Sequence, residues 1–267
     1  MTYVIATFYH FFDFANHAAE KPALLQKMLQ LDIKGSILVA PEGFNGTVSG
    51  SRDAIDTLLQ FLKDSIAKSD FEHKESLAST KPFGRAKVRL KKETISLGEP
   101  TEIENIGSYV EPENWNDLIA DPDVVLIDAR NDYEVALGTF ENAVNPQTRG
   151  FKQLPDFARQ LLDGDKNKKI ATFCTGGIRC EKFTSWLVGE GYKNVFHLKG
   201  GILKYLEDIP VSETKWRGEC YVFDDRVAVD HDLQPTKKFH LCSNCGDPLQ
   251  AKQRLCAACS TAAAQAN

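Results

Sequence analysis

The chain has 267 residues, of which 42% are hydrophobic and 26% are charged, and its formal net charge at pH 7 is -5. This length predicts more than one domain, and the ordinary composition excludes a disordered or fibrous protein. The charge does not indicate a general nucleic-acid binder, although it leaves room for a local basic face. No apolar run reaches membrane-spanning length and no export signal is visible, so we expect a cytoplasmic protein with seven reduced cysteines and no membrane contact.

Residues 1–98 are predicted to form an α+β domain. Apolar and alternating runs predict strands at residues 3–9, 36–40, 46–50 and 87–95, with helices at 24–31 and 51–66. The order β-α-β-β-α-β is that of a ferredoxin-like or acylphosphatase-like domain. A glycine-rich loop at 40–47 joins the middle strands, and a turn that needs small residues explains it as well as a functional loop does.

A basic stripe marks the end of this domain. It consists of Lys81, Arg85, Lys87, Arg89 and Lys91, followed by Lys92, with no acidic residue before Glu93. Alternate residues of a strand share one face, so the charges of this stripe reinforce one another. The stripe is either a solvated face or a surface that contacts the phosphate backbone of RNA.

Residues 98–112 form a polar linker, and residues 113–210 are predicted to be a second domain. Apolar runs at 124–130, 170–173 and 194–198 alternate with helical patterns, which indicates a doubly wound parallel sheet. Asp128 and Arg130 lie at the carboxyl end of the first run, where α/β sheets place their ligand crevice.

The loop from Cys174 to Cys180, with the sequence CTGGIRC, is the candidate site of this domain. A cysteine between a strand and a helix faces the free N–H groups of the first helical turn, which lower a thiol pKa and hold an anion or a persulfide. Thr175, Gly176, Gly177 and Ile178 are predicted to form this cradle, with both glycines able to take positive φ angles. Arg179 adds a cation with donors suited to an anion.

The spacing of the loop distinguishes between related chemistries. Cysteine phosphatases place one more residue between cysteine and arginine than the four that separate Cys174 from Arg179, so phosphatase activity is not expected. Cys180, on the first turn of the helix, is either a thiol that resolves a persulfide on Cys174 or a small packing residue.

These motifs resemble those of known families. One set of motifs resembles that of a rhodanese domain, namely Asp128-x-Arg130, Glu134, Gly138, Asn145-Pro146, the Cys174 loop and Gly200-Gly201. One departure is Thr139-Phe140, which stands where rhodaneses often have His-Ile. A second set is similar to the motifs of the rhodanese-related tRNA uridine hydroxylase family. It consists of the loop at 40–47, the Lys81-Pro82-Phe83 segment, residues 174–182 and the VFDDRVAV segment at 222–229. That resemblance implies oxygen-dependent 5-hydroxylation of the wobble uridine in tRNA, with Cys174 as the persulfide-type active cysteine.

Residues 211–267 are predicted to be a separate cysteine-rich segment. Cys242-x-x-Cys245 and Cys256-x-x-Cys259 are ten residues apart, a spacing typical of a structural zinc ribbon. His240 is a possible substitute ligand, and Cys220 is interpreted as a packing residue.

Three functions are compatible with the sequence. The first is a tRNA-modifying oxidoreductase that uses molecular oxygen and a persulfide or sulfenate on Cys174. The second is a rhodanese-type sulfurtransferase, and the third is a non-catalytic interaction module, against which the intact Cys174 and Arg179 argue. No flavin or nucleotide motif is present. The sequence gives no oligomeric state.

Overall fold

The computed structural model of the chain describes residues 2–256 and 259–260. These residues belong to two compact units, Met1–Ser96 and Leu97–Asn267. In the described part of the chain, no helix combines the length and the apolar character that a membrane crossing requires.

The first unit is a five-stranded sheet with two main helices. Its elements in chain order are β1 (Tyr3–Phe11), α1 (His17–Gln30), β2 (Lys34–Ala40), β3 (Gly43–Gly50), α2 (Arg52–Phe61), a π-helical turn (Leu62–Ala67), β4 (His73–Ala78) and β5 (Ala86–Leu90). The strand order is β4-β1-β3-β2-β5, and β5 runs parallel to β2 while the other pairs are antiparallel. Its core is apolar, with Phe8, Ile37, Phe44 and Leu58 fully or almost fully buried.

The last part of this unit differs from the predicted order. The edge strand next to β1 is β4, which the sequence pattern did not indicate, and the basic segment forms a fifth strand at the opposite edge. β4 has no fully buried residue and exposes Leu77, so its sequence carries no apolar face. β5 is also shorter than the predicted strand and ends at Leu90.

Local signals explain the helix α2. Ser51 has an extended backbone, and its hydroxyl accepts a hydrogen bond from the backbone N–H of Ala54 at 3.3 Å. Such a cap satisfies one of the free N–H groups at a helix start. Ile55, Leu58 and Leu59 follow at helical spacing and are buried against the sheet.

The second unit is built on a four-stranded parallel sheet. Its elements are β6 (Ser108–Val110), α3 (Pro112–Ala120), β7 (Val124–Asp128), α4 (Asp132–Val135), β8 (Gly138–Phe140), a 3-10 turn (Phe151–Gln153), α5 (Leu154–Leu162), β9 (Lys169–Phe173), α6 (Ile178–Gly189), β10 (Asn194–Leu198) and α7 (Gly201–Asp208). The sheet order is β6-β10-β9-β7, which places β9 between two parallel neighbours. The short strand β6 lies within the segment predicted to be a linker and pairs with β10.

The chain beyond α7 returns to the core of this unit. It forms β11 (Trp216–Gly218), β12 (Cys220–Tyr221), β13 (Ala228–Val229), β14 (Phe239–Leu241) and β15 (Pro248–Gln250). β11 pairs with β8, and Trp216 lies among the buried rings of Phe140 and Phe173. These aromatic side chains contribute a large share of the apolar surface removed from water.

Candidate active site

The Cys174 loop connects the end of β9 to the start of α6. β9 is buried in the middle of the sheet, so its carboxyl end delivers Cys174 to the interior, where the side chain is fully buried. Gly177 caps α6 with φ = 107°, a conformation that favours glycine. Gly176 is not in the positive-φ region, so of the two glycines only Gly177 has the predicted geometry.

The surroundings of Cys174 stabilise its thiolate. Burial favours the neutral thiol, but a hydrogen bond from the Cys180 thiol, the charge of Arg179 and the backbone N–H groups of Cys180 and Gly177 outweigh burial and lower the pKa of Cys174 to about 5. The Gly177 N–H lies 3.2 Å from the Cys174 Sγ. The side chain is therefore a nucleophilic thiolate at neutral pH.

Arg179 is positioned by Glu134. Its Nη1 donates to Glu134 Oε2 at 2.5 Å, and its Nη2 donates to Glu134 Oε1 at 3.2 Å and to the Thr175 hydroxyl at 3.3 Å. Glu134 in turn accepts from the backbone N–H of Asn131, which begins α4. Three of the five N–H groups of Arg179 thus bind protein acceptors, and the charge of the guanidinium lowers the pKa of the Cys174 thiol.

Cys180 lies on the buried side of α6. Burial, followed by the neighbouring Cys174, raises the pKa of the Cys180 thiol well above its usual value. Its Sγ is 3.7 Å from the Thr172 hydroxyl on β9. Thr172, Cys180 and Cys174 therefore form a buried series of hydrogen-bonding groups that ends at the thiolate.

Asp128 and Arg130 form a buried ion pair that contacts the segment carrying Glu134. Both are fully buried, with Arg130 Nε 2.8 Å from Asp128 Oδ1 and Arg130 Nη2 2.6 Å from Asp128 Oδ2. Thr139, which departs from the usual rhodanese residue, donates its hydroxyl to Asp128 Oδ2 at 2.8 Å. Arg130 also donates to the carbonyls of Gly138 and Glu134, so the pair holds the segment that carries Glu134.

Gly201 is a site-forming residue that the sequence analysis quoted only as part of a motif. It has φ = 67°, and a Cβ built on it would lie 2.5 Å from the Cys174 carbonyl oxygen. The next two N–H groups, of Ile202 and Leu203, donate to the carbonyls of Cys174 and Thr175. The start of α7 therefore fixes the direction of the loop carbonyls.

Phe223 contacts the site but was not among the predicted site residues. Its ring centroid lies 5.7 Å from the Arg179 guanidinium carbon, and the side chain is exposed. The VFDDRVAV segment contains it, but a phenylalanine after Tyr221 and Val222 is ordinarily predicted to be buried.

The basic stripe lies on and beside β5 in the first unit. The pKa of Lys87 is lowered by the charge of Arg85, by partial desolvation and by the charge of Arg89, in that order. The positive fields of these three residues therefore overlap. Lys91 follows the strand and is exposed. Lys81 is close enough to Asp32 to add to the lowering of that carboxyl pKa, which is mainly due to Lys34.

The four cysteines of the C-terminal segment converge. The Sγ atoms of Cys242, Cys245, Cys256 and Cys259 all lie within 4.8 Å of one another, and the group can hold a metal ion. A turn closed by the Gly246 N–H and the Cys242 carbonyl brings the first pair together on the β14–β15 hairpin. His240 on β14 is not part of this group among the described residues.

A low-pKa cysteine held between a central parallel strand and a helix defines a rhodanese-type thiol site. Family models agree with both units: residues 3–94 match the UPF0176 acylphosphatase-like domain and residues 111–208 match the rhodanese-like domain. A tRNA uridine(34) hydroxylase from Picosynechococcus sp. is 48% identical over 258 residues, which cover 96% of this chain and 86% of that protein. The chain belongs to the tRNA uridine(34) hydroxylase family, as the sequence motifs predicted.

Solved structures resemble the two units separately. An acylphosphatase from Coxiella burnetii covers 33% of this chain and 93% of its own, with 13% identity and a TM-score of 0.27. The rhodanese-like domain of an Anabaena sp. protein covers 42% and 80%, with 17% identity and a TM-score of 0.35. The family models confirm the predicted fold class of an acylphosphatase-like domain followed by a rhodanese-like domain.

Proposed function

We propose that this protein is an oxidoreductase that converts the uridine at wobble position 34 of tRNA to 5-hydroxyuridine in the cytoplasm. The observation that carries the proposal is the near full-length similarity to a tRNA uridine(34) hydroxylase in a chain that retains the Cys174 thiolate site. tRNA is the substrate on this proposal, and molecular oxygen is the co-substrate.

Cys174 is the proposed reactive group and Arg179 its electrostatic partner. Replacing the C5–H of uridine by C5–OH with dioxygen puts one oxygen atom on the base and the other into water, and it consumes two electrons and two protons. The Cys174 thiolate or its persulfide and a second thiol supply the two electrons by forming one disulfide-type bond. The second thiol releases one of the two protons and water supplies the other. Arg179 and the Gly177 N–H stabilise negative charge on that sulfur.

The basic stripe is the proposed contact for the tRNA backbone. The mutual repulsion of Arg85, Lys87 and Arg89 favours the binding of an anion that neutralises them. Replacing Lys87 and Arg89 by Gln is expected to weaken tRNA binding and to reduce the slope of log affinity against log salt by about two, roughly one for each lost phosphate contact. An unchanged slope would show that RNA is bound elsewhere. Replacing Lys21 and Lys27, which lie outside the stripe, by Gln gives the matched control.

The four-cysteine group is proposed to hold a structural zinc ion. Four thiolates suit a tetrahedral Zn²⁺ site, and the mutual proximity of the Sγ atoms fits one ion. The hairpin around Cys242 and Cys245 has only a small apolar cluster of its own, so a metal would supply much of its folding energy.

Nucleoside mass spectrometry tests the proposed function. A strain without the gene is expected to lose 5-hydroxyuridine-type nucleosides from tRNA, and the wild-type gene but not Cys174→Ala is expected to restore them. Cys220→Ala is the matched control, because Cys220 is a buried thiol whose pKa burial raises to about 12. Restoration by Cys174→Ala, or no change in the strain without the gene, would refute the proposal.

A rhodanese-type sulfurtransferase is the second candidate. Two observations support sulfur transfer as well as they support hydroxylation. They are the rhodanese-like match at residues 111–208 and the Gly177 N–H that donates to the Cys174 Sγ. Transfer of sulfur from thiosulfate to cyanide, measured on the purified protein beside tRNA hydroxylation, separates the two activities. Sulfur transfer without any hydroxylation would make this the leading function.

A further inference from the structure

Phe223 is an exposed aromatic ring next to buried residues, in a segment where Asp225 is also exposed and Arg226 is half-buried. Its side chain is 55% exposed, whereas Tyr221, Val222, Asp224 and Val227 around it are all buried. A segment of this kind ordinarily turns its largest apolar side chain inwards. The backbone here does the opposite and presents the ring to solvent.

The turn that carries Phe223 is rigid. Arg226 forms a two-point ion pair with Asp224, at 2.8 Å and 2.6 Å. The Val222 N–H donates to the Val227 carbonyl, and the Val227 N–H donates to the Asp224 carbonyl. Val227 has φ = 62°, a rare and strained conformation for a β-branched residue that persists only where the surrounding structure enforces it.

The ring adjoins the Cys174 site. It lies over the Arg179 guanidinium at 5.7 Å, and the Tyr221 ring supports its edge at 5.0 Å and 86°. Arg179 is the residue whose charge acts on the Cys174 thiolate. A planar group stacked on the free face of Phe223 would therefore be one ring away from the guanidinium that acts on the Cys174 thiolate.

We propose that Phe223 is a positioning residue on which the pyrimidine ring of the target nucleotide stacks. This inference rests on the proposed function, because it names how the same site holds its substrate base. Single-stranded bases in RNA loops are held by stacking on exposed aromatic side chains, and a ring fixed by a rigid turn loses little conformational freedom on binding. The Arg179 guanidinium lies against one face of the ring and holds it through a cation–π contact, which leaves the other face for a base.

Steady-state kinetics on a tRNA substrate provide the first test. Stacking on one aromatic side chain is expected to contribute about a fivefold to 150-fold effect per base, so Phe223→Ala should lower kcat/KM by a factor in that range. Phe223→Trp and Phe223→Tyr should retain most of the activity because they keep a flat ring. Equal losses in all three variants would overturn the proposal.

Tryptophan fluorescence provides a test that does not depend on turnover. The native residues Trp115, Trp186 and Trp216 are all buried, so the indole in Phe223→Trp is the exposed one. An anticodon stem-loop with uridine at the wobble position should quench that indole. It should leave Val211→Trp, at another exposed position of the same unit, unquenched.

The outcomes separate this inference from the proposed function. Quenching at position 223 alone supports stacking even if the wild-type protein makes no 5-hydroxyuridine, in which case only the proposed function fails. No quenching, or equal quenching at position 211, overturns the inference while hydroxylation by the wild type stands. A pH titration of the Cys174 thiolate completes the test. If Phe223→Ala raises that pKa as much as Arg179→Ala does, the ring acts through Arg179 and not on the base.

Discussion

The hydrogen bond from Cys180 to Cys174 leads to a quantitative prediction about thiol reactivity. Cys180→Ala removes a donor that helps to lower the pKa of Cys174 to about 5. A hydrogen bond to a charged group contributes about 1.5–3 kcal/mol, and each pKa unit corresponds to about 1.36 kcal/mol. The pKa of Cys174 should therefore rise by about one to two units, to about 6–7. Thr172→Val, which removes only the hydroxyl next to Cys180, should raise it by less.

The ultraviolet absorbance of the thiolate measures this pKa without a reagent having to reach the buried sulfur. Subtracting the same titration of Cys174→Ser removes the contributions of the other cysteines. Cys220→Ala is the control, since that thiol stays protonated over the whole range. An unmoved titration midpoint in Cys180→Ala would refute the reasoning and leave Arg179 and the loop amides as the sole causes.

Three further changes test other parts of the structure. Glu134→Gln leaves the buried Arg179 without its carboxylate partner, so urea unfolding should show a free energy of unfolding lower by about 3–5 kcal/mol. Asp156→Asn, at an exposed ion pair, should lower it by less than about 1 kcal/mol. The pKa of Cys174 is lowered from 9.0 to about 5, so its thiolate stabilises the fold fully above pH 9, and that contribution is lost as the pH falls through 5. The difference in unfolding free energy between the wild type and Cys174→Ser should therefore shrink as the pH falls from 9 to 5. A difference that stays constant would contradict this reasoning. Cys245→Ser should abolish binding of one zinc ion, as measured by native mass spectrometry, and retention of stoichiometric zinc would show that the group is not its site.

Sequence periodicity was sufficient to predict the strand, loop and helix that carry Cys174. The run at 170–173 within β9 is buried throughout, and the glycines and the helical pattern follow at once. Local sequence thus determines where the sulfur lies. The residue that positions Arg179 comes from a distant part of the chain, since Glu134 is 45 residues from Arg179. No local pattern assigns such a pair.

Edge strands and turns were the parts that sequence patterns could not predict. His73–Ala78 forms a strand because β1 offers it a free edge, not because its own side chains form an apolar face. The outward direction of Phe223 depends on the Asp224–Arg226 ion pair and on the positive φ of Val227. The strand is decided by its pairing with β1, which overrides the local preference of the sequence, and the turn by a specific local conformation that apolar patterning does not reveal.

The close approach of Gly201 to the Cys174 carbonyl has a consequence for the diversification of this loop. The Ile202 and Leu203 N–H groups hold the loop carbonyls from outside, so the peptide planes of Cys174 and Thr175 are oriented by a neighbouring helix and not by the loop side chains. Side chains such as that of Ile178 are then open to exchange while the amides keep their direction. A loop whose backbone is held in this way can accept different side chains, each of which would change the surroundings of the same reactive sulfur.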